Sequence, residues 1–316
     1  TVATSNSFEP FITDHGLNYG YLSNDLLDLI DPDIFDKAGN VFGLIKTAIE
    51  MSKVAKRINE KLLHESWETA QQVNPDLIIY HPKALAGPHI AEKLNIPVAL
   101  AVPLPIMIPT REFPALGMPN FGLGGWYNKL TYSLVAMGYR TYNQTVNDFR
   151  EKSLGLESVK GAALRTETSD GNPIPVLHAY SQYVAPRPAD WGDYAPVTGY
   201  WFLDHLDDWQ PSAELQAFLD AGDPPVYAGF GSMASKNPQE LAHIVIEAMK
   251  QANVRGVIAT GWGGLDAATL PDTIFKIDHA PHDWLFPHMA AVVHHGGAGT
   301  TAAGLRAGCP TIIAPF

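Results

Sequence analysis

The chain has 316 residues, of which 46% are hydrophobic and 17% are charged, a globular composition that excludes a disordered chain and is typical of about two domains. Its net charge of -12 argues against a nucleic-acid partner, and we find no apolar stretch long enough to cross a membrane. The single cysteine, Cys309, excludes an intrachain disulfide framework and favours a cytoplasmic location.

The first half of the chain alternates between helical and extended patterns. Apolar residues recur at three- and four-residue steps from Val41 to about Val73, which predicts a long amphipathic helix. The elements predicted after it are a strand over 77–80, a helix over 86–94, a strand over 96–100, a proline-rich loop over 103–125 and a helix over 126–154. The strand-helix-strand order predicts parallel pairing, and the density of prolines predicts a long functional loop.

A segment rich in proline and aromatic residues separates the two halves, and we place the domain boundary in it, giving domains 1–190 and 191–316. The elements predicted beyond it are strands over 226–230, 256–260, 274–277 and 291–294, a helix over 238–253, a helix from near Thr300 and a strand from Thr311. Each domain therefore has the pattern of an α/β doubly wound unit. Because the first residue is not Met and the last strand runs into a cut loop, we expect truncation at both ends.

The strongest local motif is the glycine-rich turn after the strand over 291–294. Its small residues let an anion approach the backbone, and the helix that begins near Thr300 offers unpaired N–H groups and a positive dipole end. A phosphate at Ala298 to Thr301 would satisfy both, and His294 could add a hydrogen bond. The same glycines are also compatible with a tight turn that binds nothing, so both interpretations stay open.

A second loop of the same kind, Gly229 to Met233, follows another predicted strand, and Asn237-Pro238 then begins the next helix. In an open parallel sheet, ligands bind beyond the carboxyl ends of the strands, so the two loops are expected to face one crevice. Ser232 in this loop is a candidate ligand contact, although a turn cap explains it equally well.

The segment from Asp278 to Phe286 also follows a predicted strand, where a planar base could stack or pair with the backbone. Trp284 and Phe286 within it are predicted core residues. Five histidines from His279 to His295 suggest a metal site as an alternative. They lack the His-Glu-x-x-His spacing, and His294 and His295 should point to opposite faces of a strand, so we expect no metal there.

These motifs together resemble a known family. The runs Pro281–His288 and Val292–Gly308 closely resemble the donor signature of the UDP-glucose:sterol glucosyltransferases, which belong to the inverting UDP-glycosyltransferases of glycosyltransferase family 1. Further similar segments are Asp190–Gly192, Thr198–Phe202, Gly229–Met233, Thr260–Gly264, Thr110–Pro114 and Gly124–Asn128. The likeness therefore covers most of the chain.

The resemblance implies a GT-B fold, in which two facing Rossmann-like domains hold the acceptor and the UDP-sugar, respectively. It assigns the donor diphosphate to Ser232, His294, Gly297, Ala298, Gly299 and Thr300. It assigns the nucleoside and ribose to His279, Ala280 and His282, and it places Arg111, Glu112 and Phe113 on the acceptor side. The implied reaction moves a hexose, glucose above all, from UDP to the hydroxyl of a sterol or similar lipophilic acceptor with inversion, without a metal or other cofactor.

The catalytic residues are not identified, because the family's general-base loop should precede Thr1 and the acidic residue and glutamine that hold the sugar should follow Phe316. Asp14 and His15 could form a base dyad, but such neighbours are also typical of a turn. The apolar residues from Leu104 to Phe121 could bind a sterol or could simply pack as a loop. A sterol acceptor would imply peripheral contact with a membrane.

Two other functions stay open from the sequence. A GT-B-type UDP-sugar epimerase would share the diphosphate site, but it would not need the apolar loop over 103–125. A non-catalytic binding or scaffold fragment would lack the general-base loop even in the full-length protein. Release of UDP with a lipid acceptor separates the transferase from the epimerase, and the flanking sequence separates it from the scaffold.

Overall fold

The structure is a computed structural model that describes residues 1–25, 41–204, 209–231, 237–260 and 270–315, with the backbone alone for 41–52. Two compact units, Thr1–Gly199 and Tyr200–Phe316, divide the chain. The division falls after position 190 because Trp191 is buried in the first unit, where its ring stacks on that of His178 with centroids 4.3 Å apart. Ser232 and the glycines of 261–264 lie outside the described residues.

The first unit contains two parallel sheets, of order β1-β2 and β3-β4-β5. Its strands are β1 (Val2–Ser5), β2 (Tyr19–Leu22), β3 (Ile78–Tyr80), β4 (Val98–Val102) and β5 (Val176–His178). Its helices are α1 (Glu9–Asp14), α2 (Val41–Val73), α3 (Gly87–Leu94), α4 (Gly125–Tyr139) and α5 (Asn143–Phe149). The predicted long helix, the parallel pairing of β3 with β4, and α3 are confirmed.

The predicted helix over 126–154 is interrupted. A 3-10 turn, Arg140–Tyr142, separates α4 from α5, and a π-helical turn, Arg150–Leu154, ends the segment. The π turn includes Arg150, whose side chain is buried and bonded to the carboxylate of Glu92 on α3. The regular α-helix therefore ends directly before Arg150, the residue that forms the ion pair with Glu92.

The described residues of the second unit form one five-stranded parallel sheet, of order β10-β9-β6-β7-β8, with its helices. Its strands are β6 (Val226–Gly229), β7 (Gly256–Ala259), β8 (Ile274–Ile277), β9 (Ala291–His294) and β10 (Thr311–Ile313). Its helices are α6 (Ala213–Asp220), α7 (Pro238–Gln251), α8 (His282–Leu285) and α9 (Ala298–Arg306). The start predicted for α7 is confirmed, since the side chain of Asn237 accepts from the backbone N–H of Glu240 and Pro238 opens the helix.

Both faces of this sheet are buried. Side chains of neighbouring strand residues alternate between two hydrophobic clusters, so that Tyr227 and Val257 pack with α6 on one face, whereas Ala228 and Ile258 pack with α7 on the other. Burial on both faces explains why the strands read as continuous apolar runs, as in other doubly wound sheets.

The strand order reverses at the centre of the sheet. From β6 the chain proceeds outward to β7 and β8, and it then returns to form β9 on the other side of β6. This reversal creates a crevice between the carboxyl ends of β6 and β9, the usual position of ligand sites in open α/β sheets. Within the described residues, no helix is both long and apolar enough to cross a membrane.

Candidate functional site

The two glycine-containing loops meet at the point where the strand order reverses. Strands β6 and β9 pair in parallel, with Ala228 opposite Val293, so both loops leave the same edge of the sheet. A Cβ atom placed on Gly231 would lie 3.6 Å from His295 Cε1. Gly231 and Gly296 have φ angles of +59° and +93°, in the region that favours glycine. The expected convergence of the loops is therefore present in the fold.

The amino terminus of α9 offers unpaired backbone donors. The first helical bond runs from the N–H of Thr301 to the carbonyl of Gly297, at 2.9 Å, so the N–H groups of Ala298, Gly299 and Thr300 precede any acceptor within the helix. Gly297, the N-cap residue, provides no side-chain cap. A Cβ atom on Gly299 would meet nothing within 4 Å, which leaves open space beside this turn. The arrangement suits an anion.

His294 is fully buried at the end of β9 and is held in one tautomer. Its Nδ1 accepts the backbone N–H of Gly296 at 3.0 Å, so the neutral ring carries its proton on Nε2. Burial lowers the pKa of His294, and the neighbouring His295 lowers it further. The buried Nε2 has no hydrogen-bond partner among the described residues. A neutral histidine therefore precedes the turn, and its Nε2–H donor has no acceptor among the described residues.

The three residues predicted for the nucleoside and ribose lie together along one cleft of about 490 Å³. His279 and Ala280 follow β8, and His282 begins α8. The ring of His282 stacks on the fully buried Phe286, with centroids 4.3 Å apart and planes at 14°. This contact fixes the imidazole at the cleft wall and confirms Phe286 as core. Residues 297–300 are not part of the lining.

The cleft also contains residues that the sequence had not assigned to the site. Phe202 and Leu203 line it from the segment before α6, and Arg306 lines it from the last turn of α9. The guanidinium of Arg306 lies 4.5 Å from the centroid of the Phe202 ring and pairs with Asp204. Both Phe202 and Arg306 belong to motifs that the family resemblance had already singled out, which was the available signal.

The histidines of the second unit have separate local contacts. His288 Nδ1 donates to the carbonyl of Trp284 at 2.8 Å, and the rings of His294 and His295 are nearly perpendicular, at 83°. Throughout the part of the chain that the structure describes, no three residues among the histidines, cysteines and carboxylates are grouped closely enough to hold a metal ion.

The candidate acceptor residues hold the long loop of the first unit in place. Asp190 accepts from the hydroxyl of Thr110 at 2.6 Å and from the backbone N–H of Arg111 at 3.0 Å, and the hydrogen bond from Thr110 is the main cause of its lowered pKa. Glu112 accepts the N–H of Ala189 at 2.6 Å, and Phe113 packs against a hydrophobic cluster. The contacts of Arg111 and Glu112 thus anchor the loop, and sequence reasoning missed Asp190 as the partner of Arg111 and Ala189 as the partner of Glu112.

The same loop helps to enclose an apolar cavity of about 300 Å³ in the first unit. Met107 and Ile108 contribute from the loop, Tyr80 and Val176 from β3 and β5, and Arg165 adds a cation. Met107 has a φ of +75°, an unusual conformation for a residue with a side chain. Part of the predicted apolar loop therefore faces a cavity.

Asp14 and His15 stand at the end of α1. His15 Nδ1 donates to the carbonyl of Phe11 at 2.7 Å, and its ring lies 4.6 Å from the Phe11 ring. These contacts are those of a helix terminus.

Comparison with known proteins extends this picture. The family model described as Erythromycin biosynthesis protein CIII-like, C-terminal domain, matches residues 251–316. Sterol 3-beta-glucosyltransferase of Aspergillus terreus is 37% identical over 329 residues, which cover all of this chain and 23% of that protein. Sterol 3-beta-glucosyltransferase UGT80B1 of Arabidopsis thaliana is 37% identical over 327 residues, which cover all of this chain and 51% of that protein. The chain thus spans between about a quarter and about half of the length of these curated relatives.

Solved structures share the fold at low sequence identity. The glycotransferase of kitacinnamycin superimposes with a TM-score of 0.67 at 15% identity, covering 99% of this chain and 72% of that one. The Streptomyces glycosyltransferase SsfS6, complexed with thymidine diphosphate, gives 0.55 at 17% identity, covering 100% and 73%. The predicted fold and resemblance are both confirmed: the chain has the GT-B fold, and over its whole length its sequence is similar to those of the sterol 3-beta-glucosyltransferases.

Proposed function

We propose that this chain is part of the catalytic region of a UDP-dependent hexosyltransferase that moves glucose to the hydroxyl of a sterol or similar lipophilic acceptor with inversion. The observation that carries the proposal is the turn after β9: it leads into α9, whose first three N–H groups have no acceptor within the helix, and it follows the buried His294, whose Nε2 has no hydrogen-bond partner among the described residues. The names of the relatives support the sugar and the acceptor.

The proposed chemistry at this turn is stabilisation of the leaving group. As the bond between the anomeric carbon and UDP breaks, negative charge grows on the diphosphate, and fixed N–H donors and the helix dipole stabilise it without reorganising. His294 is neutral, so it contributes a hydrogen bond rather than a charge. The donors supply the stabilisation that a cation otherwise would, and we propose that transfer needs no metal or other cofactor.

The nucleoside would lie along the cleft of His279, Ala280 and His282, where a planar base can stack on an imidazole. The acceptor would bind in the first unit, whose cavity beside Met107 and Ile108 is mostly apolar. Its hydroxyl attacks the anomeric carbon, and its proton passes to a general base that we do not assign to a residue.

A single buried thiol, Cys309, supports a reducing and hence cytoplasmic location.

The sharpest test of the diphosphate site is a methyl group placed into its open space. Gly299→Ala adds a Cβ that meets no protein atom within 4 Å, and it should leave the fold intact or stabilise α9 by up to about 1 kcal/mol. If the space belongs to the diphosphate, affinity for UDP in titration calorimetry should fall about tenfold. The matched control is Gly138→Ala, another open helical glycine, on α4 of the first unit.

His294→Ala provides the second test, in transfer of glucose from UDP-glucose to a sterol by the full-length protein. We expect the turnover rate to fall at least about tenfold, because the diphosphate loses one donor. Thermal unfolding of the variant, measured alongside, separates this loss from destabilisation. Unimpaired transfer by a folded variant would contradict the assignment, and isomerised UDP-sugar without released UDP would identify an epimerase instead.

Activity that is insensitive to a chelator is the expected result for a metal-independent enzyme.

A further inference from the structure

Helix α4 of the first unit has an inverted distribution of polar and apolar residues. Asn128 and Thr131 are buried, where Asn128 donates to the carbonyl of Arg111 at 2.8 Å and Thr131 Oγ1 accepts the N–H of Ala115 at 2.8 Å. The outward residues Trp126, Leu130 and Leu134 follow at four-residue steps, which places them along one side of the helix. The helix thus uses its polar side for the fold and leaves its apolar side outside.

The exposed apolar surface continues into the loop before the helix. We define the apolar face by six residues that are between about half and two-thirds exposed: Phe121, Leu123, Trp126, Leu130, Leu134 and Met137. Phe121 and Trp126 are the most exposed, at 64% and 66%. The ring of Phe121 lies 5.6 Å from that of Tyr127, which joins loop and helix into one surface. A contiguous surface of this kind marks a contact with a partner.

The charges around the apolar face indicate what the partner is. From Arg111 to Arg140 the chain carries three basic residues and one acidic residue, although the whole chain has a net charge of -12. Glu112 accepts a hydrogen bond from the backbone N–H of Ala189, and Lys129 forms an ion pair with Asp190 at 3.6 Å. Arginines at both ends of the helix, Arg111 beside Gly125 and Arg140 at the C-cap, together with aromatic rings and an apolar stripe on one helix side, are the features of a helix that lies in the plane of an anionic bilayer surface.

We infer that the apolar face docks this protein on membranes that contain anionic phospholipids, with α4 lying in the headgroup region. The inference rests on the proposed function, because a lipophilic acceptor resides in a bilayer. Vesicle binding can nevertheless be measured without donor or acceptor, so the two can fail separately.

The test is co-sedimentation of the full chain with vesicles of phosphatidylcholine alone or with about 30% phosphatidylserine. We expect binding to the anionic vesicles, weakened by high salt. The double variant Leu130→Glu/Leu134→Glu should bind at least about tenfold more weakly. The matched control, Ile244→Glu/Leu305→Glu, alters two equally exposed apolar residues of the second unit and should bind like the unaltered chain. Arg140→Glu should weaken binding to the anionic vesicles alone.

Both replaced leucines are about half exposed, so an unchanged melting temperature and circular dichroism spectrum are expected of the double variant. If it does not fold, Trp126→Ser and Arg140→Glu replace it. Equal binding by variant and control would overturn the inference, and so would the absence of binding to either vesicle. Conversion of a dimer into a monomer by the double variant, without vesicle binding, would assign the face to a second copy instead. If the unaltered chain binds UDP but neither kind of vesicle, the inference alone is refuted; if it binds anionic vesicles but not UDP, the proposed function is refuted.

Discussion

The two loops that follow central strands of the two units are built by opposite means. The loop after β4, residues 103–124, is long and is anchored by side chains, chiefly Asp190 and Glu112, which accept hydrogen bonds across it. The loop after β9, residues 295–297, is three residues long and leads directly into α9. Its shape depends on glycines and on one hydrogen bond, from the backbone N–H of Gly296 to Nδ1 of the His294 side chain.

The two ways of building a loop differ in how many kinds of ligand each loop can accommodate. A long loop held by a few side chains can change its composition and accept different apolar ligands, as variable loops on rigid scaffolds do. A three-residue turn that presents backbone N–H groups can recognise only what those groups recognise, an anion. Under the proposed function, the longer loop would contact the acceptor and the short turn would bind the diphosphate.

The largest effect is expected where a buried charge supports the first unit. Arg150 is buried and donates to Glu92 through two nitrogens, at 2.8 and 3.2 Å. Glu92→Ala should lower the free energy of unfolding by about 3 kcal/mol, because it leaves a guanidinium without its counter-charge. Asp204→Ala removes the exposed partner of Arg306 in the second unit and should cost less than about 1 kcal/mol in urea titrations. Equal losses of unfolding free energy in the two variants would contradict the expected difference between the buried ion pair of the first unit and the exposed ion pair of the second.

Acid should act mainly on the first unit. Burial, with a smaller contribution from the charge of Arg150, lowers the pKa of His89 to about 4, below its ordinary value of 6.5. The unfolded chain therefore binds a proton first, so stability is complete above the ordinary pKa and is lost as pH falls towards the folded value. Between about pH 7 and about pH 5 this histidine should account for about 2 kcal/mol. His89→Gln, which cannot titrate, should flatten the unfolding free energy over that range.

Asp190→Asn should loosen the loop over 103–124 without affecting the turn over 295–297. An asparagine can still accept from Thr110, but its amide group cannot accept the N–H of Arg111, so we expect a loss of about 1 kcal/mol in stability. Proteolysis within 103–124 should accelerate and the KM for a sterol acceptor should rise, whereas UDP affinity should stay unchanged. A parallel loss of UDP affinity would show that the loops are not independent.

The smallest effect is expected at Thr300. The proposed contact uses its backbone N–H, so Thr300→Ala should keep UDP affinity within about twofold in calorimetry. A loss of tenfold or more would assign the contact to the hydroxyl of Thr300 rather than to its backbone N–H.

Sequence reasoning succeeded where local pattern and backbone chemistry coincide. The periodicity of α2, the cap and proline that begin α7, and the small residues before α9 all express local preferences, and each predicted element is present. The short strands β1, β2 and β5 were missed, because three or four residues carry too little periodicity to separate a strand from a loop. Ser232 stays a prediction, since it lies outside the described residues.

The sequence alone determined the doubly wound class, the glycine-rich turn and the family resemblance, because apolar periodicity, glycine content and motif spacing are properties of the chain itself. Only the tertiary structure decided which partners the side chains have. It buried His294 and left its Nε2 without an acceptor, paired Arg111 and Glu112 with a segment almost eighty residues away, and turned the apolar side of α4 outward. Long-range packing sets these contacts, and no local pattern encodes them.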